Sequence, residues 1–237
     1  MRKTIATLIA VLFCGFISAA FIVIAPEKVF AAATEPLSFT YTVKIHEDMP
    51  YFIARLDMWS LPESSARNLY EYEASITIMY EDGSVLQQID NLEISYRTDS
   101  RWIRIDPENP ANLHFDDYNQ DGFLDMAVRH IPGNSRMNDP HYFWLWDTEQ
   151  EQFQSSYELE TLSHASSVSL THDGNIRTSL RFALGHYILE THMFVDGTLI
   201  PYITRERKPF QVGEDSTYKI IITDHINETK SMMLEPF

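Results

Sequence analysis

The sequence predicts an all-β fold built from antiparallel sheets, arranged as a sandwich or as an incomplete, propeller-like assembly. Residues 74–80 read ASITIMY, a β-branched run with the alternation of a half-buried strand. Asp-Gly dipeptides at 82–83, 173–174 and 196–197 are typical of tight turns that join antiparallel strands. Segments with the 3.6-residue period of an amphipathic helix are scarce, and no repeat spans the chain as a complete repeat-built propeller would require.

Ten segments along the chain are rich in β-branched and aromatic residues, which favour strands. They are residues 74–80, 85–89, 92–96, 102–105, 123–130, 141–147, 177–182, 186–194, 199–203 and 218–223. Residues 62–69 are the candidate for one short helix. The tail from 228 to 237 is expected to be loosely held, as chain ends commonly are.

The first 33 residues are predicted to be a secretory signal peptide, and residues 34–237 a single β-rich domain. A basic start precedes an uncharged, mostly apolar run from Thr4 to Ala25, and small residues then offer cleavage sites after Ala31 or Ala33. The alternative is an uncleaved anchor, because the apolar run is long enough to cross a bilayer. We therefore expect an extracytoplasmic domain, whether secreted, on the cell surface or in a periplasm.

The predicted domain is strongly acidic. The whole chain has 18 basic and 34 acidic residues and a net charge of −16, while residues 34–237 hold 15 and 33. This charge makes nucleic acid and, after signal cleavage, membrane surfaces poor partners, and it favours a cationic protein. The alternative is that the acidity serves only solubility. Cys14 is the only cysteine and lies in the predicted signal, so no disulfide is expected in the domain.

Residues 117–125, DYNQDGFLD, have the ligand spacing of a calcium-binding loop. The predicted donors are the side chains of Asp117, Asn119, Asp121 and Asp125 and the backbone carbonyl of Phe123. Gly122 stands where such a loop turns sharply and needs positive φ. Flanking helices and a glutamate at loop position 12 are missing, so the pattern indicates one EF-hand-like loop between strands, with Ca2+ in a structural role. The alternative is an Asp/Asn/Gly turn that binds no metal.

No motif for a catalytic nucleophile, a phosphate-binding loop or a dinucleotide site is present. No catalytic residue is therefore assigned, and the protein is not expected to be an enzyme. The aromatic run at 142–146, YFWLW, places Tyr142, Trp144 and Trp146 on one side of a strand and Phe143 and Leu145 on the other. Either both sides are buried in the core, or one side is an exposed binding platform.

Together these segments resemble a family of calcium-loop secreted proteins typified by a xanthomonad periplasmic protein, which is itself similar to the inhibitors of invertebrate-type lysozyme. The resemblance rests on DYNQDGFLDM at 117–126, YFWLWD at 142–147, Phe153 and ELETLS at 158–163, and it covers roughly residues 70–200. It implies an all-β fold, a structural calcium and, for some members, inhibition of a lysozyme that cuts peptidoglycan.

The expected function is that of a secreted, calcium-binding, non-enzymatic domain that binds a protein partner. A cationic, lysozyme-like peptidoglycan hydrolase is the candidate partner, which the domain would inhibit. The segment from Pro132 to Pro140 is the candidate contact loop, because binding residues concentrate on loops held by a rigid scaffold. The alternative function is a cell-surface adhesion or carbohydrate-binding module that uses the aromatic strand.

Overall fold

A computed structural model describes residues 35–61, 69–97, 106, 108–130, 140–212 and 215–236 of the chain. Residues 34–237 form one compact unit, whose described part holds fourteen strands and one short helix. The elements are β1 (Leu37–Val43), β2 (Phe52–Ser60), β3 (Leu69–Tyr80), β4 (Val85–Arg97), β5 (His114–Asp116), β6 (Asp125–Arg129), β7 (His141–Asp147), β8 (Gln152–Ser155), α1 (Tyr157–Ala165), β9 (Ser167–Leu170), β10 (Ile176–Ala183), β11 (His186–Val195), β12 (Thr198–Val212), β13 (Asp215–Asp224) and β14 (Thr229–Pro236). None of the helices in the described residues has the length and apolarity needed to cross a membrane.

The strands form three sheets, and each sheet is a meander in which strands adjacent in the chain are hydrogen-bonded neighbours. The first sheet is β1–β4, the second is β5–β8 and the third is β9–β14. Every described pairing within them is antiparallel. The predicted all-β, antiparallel class is confirmed. Two of the three sheets have four strands, as the blades of a propeller do.

The three Asp-Gly dipeptides lie in the predicted turns. Gly83, Gly174 and Gly197 have φ values of 84°, 79° and 75°, in the left-handed region that glycine enters at little steric cost. These turns join β3 to β4, β9 to β10 and β11 to β12. The hairpins expected at these positions are therefore confirmed.

The second sheet lies between two hydrophobic clusters, one on each face. Met126 and Trp144 belong to the cluster shared with the first sheet, whereas Ala127 and Phe143 belong to the cluster shared with α1 and the third sheet. Successive residues of β6 and β7 thus enter different clusters, as the pleat of a strand requires. The second sheet is buried on both faces and supplies a rigid base for the loop that precedes β6.

The aromatic strand β7 is part of this core. Phe143, Trp144 and Trp146 are 3%, 7% and 3% exposed, and Trp146 packs edge-to-face on Phe153 with ring centroids 5.1 Å apart. Of the two interpretations of this strand, burial of both faces is the one observed. The strand presents no exposed tryptophan platform to a ligand.

Some local expectations were wrong. Residues 85–97 form the single strand β4, because the chain passes Asn91, at a φ of 59°, and a register shift against β3 without leaving the sheet. Most of the tail forms β14, which pairs with β13 along its whole length. The predicted helix at 62–69 and the predicted strand at 102–105 fall largely outside the described residues; only Leu69 is described, and it begins β3.

The helix that is described, α1, was missed. Glu158 and Glu160 lie in its first turn, where carboxylates stabilise the positive end of the helix dipole. Leu159 is fully buried in the second cluster and fixes the helix against the second sheet. Leu159 and Leu162, three residues apart, make too short a periodic pattern to identify a helix of nine residues from sequence.

Candidate metal centre

The predicted calcium loop connects β5 to β6 in the second sheet. Asp116, at the end of β5, pairs with Asp125, at the start of β6, so residues 117–124 leave and re-enter the same ladder. The two ends of the loop are therefore held together by sheet hydrogen bonds. The loop lies between strands, as the sequence predicts.

Three side chains shape the loop by accepting hydrogen bonds from its own backbone. The Asp117 carboxylate accepts from the N–H of Asp121 at 3.2 Å and of Gly122 at 3.0 Å. Asn119 Oδ1 also accepts from the N–H of Asp121, at 3.1 Å, and Asp121 Oδ1 accepts from the N–H of Phe123, at 2.9 Å. Short side chains that bond the backbone two residues later form successive tight turns.

Two residues with positive φ complete the turns of the loop backbone. Gly122 has a φ of 91° and Gln120 a φ of 60°. No heavy atom lies within 4 Å of the position that a Cβ at Gly122 would occupy, so the backbone conformation, not crowding, favours glycine there. Gln120 bears the strain that side chains meet in this region.

Asp125 is the buried end of the loop. Its side chain is completely buried, and its Oδ2 accepts from the N–H groups of Tyr118 at 2.8 Å and Asn119 at 3.3 Å. Its Oδ1 accepts from the N–H of Trp146 on β7 at 2.8 Å. Burial raises the pKa of Asp125 to about 7, although the three N–H groups oppose that shift. This carboxylate fixes both the start of the loop and the neighbouring strand.

The loop also contacts the segment after β1 on one side and strand β7 on the other. The N–H of Leu124 donates to the carbonyl of Ile45 at 2.8 Å, and the ring of Phe123 stacks on His46 with centroids 4.4 Å apart. Tyr118, 4% exposed, packs edge-to-face on Phe143 at 5.1 Å. The loop is thus attached at both ends and on both sides.

The predicted donors are of the right kind for a calcium ion, which binds oxygen ligands only. Asp117 Oδ1 and Asn119 Oδ1 approach each other, because both accept from the N–H of Asp121. Within the described residues, the group of three acidic or histidine side chains whose donor atoms lie within 4.8 Å of one another is His46, Glu47 and Asp48. The loop's three carboxylates do not form such a group. Because a carboxylate oxygen has two lone pairs, an oxygen that accepts an N–H can still bind a cation when the side chains close.

The His46–Glu47–Asp48 turn was not identified from the sequence. Its Glu47 and Asp48 are exposed, and His46 Nδ1 accepts from the N–H of Asp48 at 3.2 Å. Three consecutive polar residues are common in turns, so the sequence carries no signal of a site. The turn matters here because the stacking of His46 on Phe123 places it beside the loop.

The candidate contact loop at 132–140 lies outside the described residues except for Pro140, and its role stays a prediction.

Comparison with known proteins gives a likeness of fold. No family model matches the chain, and no curated protein matches its sequence. A solved structure described as a Xanthomonas Type IV secretion system related protein is similar, with a TM-score of 0.54 and 11% sequence identity, over 83% of this chain and 99% of that one. At this identity the similarity establishes a shared fold alone.

Proposed function

We propose that this protein is an exported, non-enzymatic β domain that binds Ca2+ in the loop at 117–125 and binds a cationic protein partner. The observation that carries the calcium proposal is the loop itself. Asn119 and Asp121 form successive tight turns, Asp117 spans them by accepting from the N–H groups of Asp121 and Gly122, and the buried Asp125 closes the loop. Movement of the Asp117, Asn119 and Asp121 side chains toward Asp125 would surround an ion.

The side chains of Asp117, Asn119, Asp121 and Asp125 and the carbonyl of Phe123 would hold the ion. Calcium supplies positive charge and a fixed centre for these oxygens, which is a structural and not a chemical contribution. The conformation of the loop does not depend on the ion alone, because the Asp125 carboxylate accepts hydrogen bonds from the backbone of Tyr118 and of Trp146 on β7. Charge on the buried Asp125 is costly, and a cation beside it would offset that cost.

Calorimetric titration tests this site. Wild-type protein should bind one Ca2+ with clear preference over Mg2+, because a loop of five oxygen donors suits the larger, more flexible coordination of calcium. Asp121→Ala should abolish the heat of binding. Asp116→Asn is the matched control, since it removes a carboxylate next to the loop that is not among the predicted ligands, and it should bind as wild type. Equal loss in both variants would mean that general negative charge, and not the loop, attracts the ion.

The partner proposal rests on charge and on the family resemblance. Residues 34–166 contain 24 acidic and 8 basic residues, while residues 167–237 contain 9 and 7. The negative charge is therefore concentrated in the part of the chain that forms the first two sheets, where it attracts cationic proteins and speeds their encounter. The resemblance favours lysozyme-like hydrolases as the partner, which are secreted proteins that cut peptidoglycan. The alternative of a carbohydrate-binding module loses its main support, because Trp144 and Trp146 are buried.

A turbidity assay tests the partner. Cationic lysozymes of several types would be mixed with the protein at physiological salt, with and without calcium, and the clearing of peptidoglycan measured. Inhibition should appear for at least one lysozyme at micromolar protein and should survive physiological salt, which screens purely long-range attraction. Binding to peptidoglycan without any effect on the enzymes would instead support the adhesion or glycan-binding alternative.

A further inference from the structure

The third sheet separates its arginines and lysines onto opposite faces. Across β10, β11 and β12, Arg181 pairs with Tyr187, and Tyr187 pairs with Arg207. Two residues away along the strands, Ser179 pairs with Leu189, and Leu189 pairs with Arg205. Paired residues share a face, as do residues two apart in a strand. The arginine face is defined here by its four arginines, which are Arg177, Arg181, Arg205 and Arg207.

The three lysines of this sheet are on the other face. Lys208 on β12 pairs with Lys219 on β13. Lys230 on β14 pairs with Thr223, and Thr223 pairs with Thr204 on β12. Thr204 shares a face with Lys208, because the two are four residues apart in one strand. These four arginines and three lysines are all the basic residues from 167 to 237. The separation is therefore complete for this part of the chain.

At β9 and β10 the arginine face is the outer face of the sheet, whereas at β13 the same face carries Ile220, which pairs with Arg207 and is 1% exposed. Ile176 is 1% exposed and packs in the second hydrophobic cluster with Val168 and Leu170, and all three belong to the lysine face. Arg177, which follows Ile176, therefore points away from that cluster. Among the described elements, β11 to β14 make extended contact only with one another and with β10. The burial of apolar side chains does not by itself require arginines on one face of this sheet and lysines on the other.

Three of the four guanidinium groups form no ion pair with a described residue, although Arg181 Nε donates to the carbonyl of Ala183 at 3.5 Å. Arg177, Arg181 and Arg205 are exposed, and within the described residues none of them forms an ion pair. Arg207 is held in place: its Nε donates to Glu235 at 2.9 Å, and its guanidinium lies 3.2 Å from the ring centroid of Tyr218. Arg207 thus lies at one corner of the group, in the same row as Arg181 and two residues along β12 from Arg205.

The positive region is a strip and not the whole face. The described carboxylates on the strands of the arginine face are Asp224 on β13 and Glu235 on β14, whereas all four arginines are on β10 and β12. Asp173, in the turn before β10, interacts electrostatically with Arg177. Arg205 and Arg207 are about 7 Å apart along β12, and Arg181 lies about 10 Å from Arg207 across β11. A broad anionic plane such as a membrane would also meet the carboxylates, but a narrow chain could follow the strip.

We infer that the arginine face binds inorganic polyphosphate, a linear polymer of phosphate groups. The planar guanidinium matches phosphate oxygens with two parallel hydrogen bonds, which an ammonium group cannot do. A polymer meets several arginines at once, so weak single contacts add through their linkage, whereas a free phosphate meets one or two. The acidic first two sheets do not prevent this, because the Debye length at physiological salt is about 8 Å and limits their repulsion to short range.

Binding of long-chain inorganic polyphosphate to the full domain, followed by fluorescence anisotropy in EDTA, tests this inference. EDTA separates the result from the calcium proposal. The double variant Arg181→Gln/Arg205→Gln should weaken binding at least tenfold and reduce the slope of log affinity against log salt by about two. Lys219→Gln/Lys230→Gln, which removes the same charge from the opposite face, should bind within twofold of wild type. Arg181→Lys/Arg205→Lys should lie between the two, and circular dichroism should be unchanged in all variants.

Four results would overturn the inference. They are no binding of polyphosphate, equal weakening by the arginine and lysine variants, orthophosphate competing as well as polyphosphate at equal phosphate concentration, and binding to phosphatidylglycerol vesicles but not to polyphosphate. Sedimentation velocity of the protein alone should show a monomer whose mass does not change in the arginine variant. Salt-sensitive self-association lost in that variant would assign the face to a second copy of the chain instead.

Discussion

The Oδ1 atom of Asp125 accepts a hydrogen bond from the backbone N–H of Trp146 at 2.8 Å, so the last residue of the candidate calcium loop is joined directly to the aromatic strand. The same carboxylate accepts from Tyr118 and Asn119 at the start of the loop. This relationship gives a physical reason for the loop and the aromatic strand to occur together: one buried side chain supports both.

Asp125 should stabilise the fold even without calcium. Asp125→Ala leaves three backbone N–H groups without their acceptor, two of them at 2.8 Å, and a buried donor without a partner costs about 1–3 kcal/mol. Urea unfolding in EDTA should therefore show a free energy of unfolding lower by at least about 2 kcal/mol. Asp121→Ala, at an exposed position of the same loop, should change it by less than about 0.5 kcal/mol. Equal effects of the two variants would contradict the structural role given to Asp125.

The left-handed backbone of the loop predicts opposite effects at two neighbouring positions. Gly122→Ala should destabilise the domain by roughly 1 kcal/mol, because a Cβ disfavours a φ of 91°. Gln120→Gly should be neutral or slightly stabilising, because the strain at a φ of 60° is removed. Both are measured by urea unfolding in EDTA. If Gly122→Ala has no effect, the loop does not adopt this course in solution.

The burial of the aromatic strand predicts a large effect of truncation there. Phe153 is 2% exposed and packs on Trp146, so Phe153→Ala should lower the free energy of unfolding by about 3–5 kcal/mol. Tyr157, which is 79% exposed, is the matched control, and Tyr157→Ala should cost less than about 0.5 kcal/mol. A small effect at Phe153 would mean that this side of β7 is open to solvent and would reopen the glycan-binding alternative.

Much of the fold could be predicted from local sequence. The Asp-Gly turns mark three hairpins because glycine is strongly favoured in the left-handed positions that these turns need. The run ASITIMY lies within β3, and HYFWLWD coincides with β7. The strands that escaped prediction include β1, β2 and β14. Each is stabilised by pairing with a strand next to it in the chain, and the composition of a single segment does not reveal that pairing.

The candidate site was predictable in its residues but not in its contacts. Spacing alone identifies Asp117, Asn119, Asp121 and Asp125 as a set. It does not reveal that Asp125 bonds Trp146, 21 residues away, or that His46 stacks on Phe123. These contacts arise from the packing of sheets, which no short motif encodes.

Thermal unfolding in calcium and in EDTA tests directly whether the loop at 117–125 binds Ca2+. A ligand that binds only the folded state at about one hundred times its dissociation constant adds about 2.7 kcal/mol of stability. For a domain of this size the wild-type Tm should therefore be roughly 5–10 °C higher in calcium than in EDTA. Asp121→Ala should have one Tm in both conditions, and Asp116→Asn should keep the wild-type difference. Identical wild-type melting curves in calcium and in EDTA would contradict calcium binding by this loop.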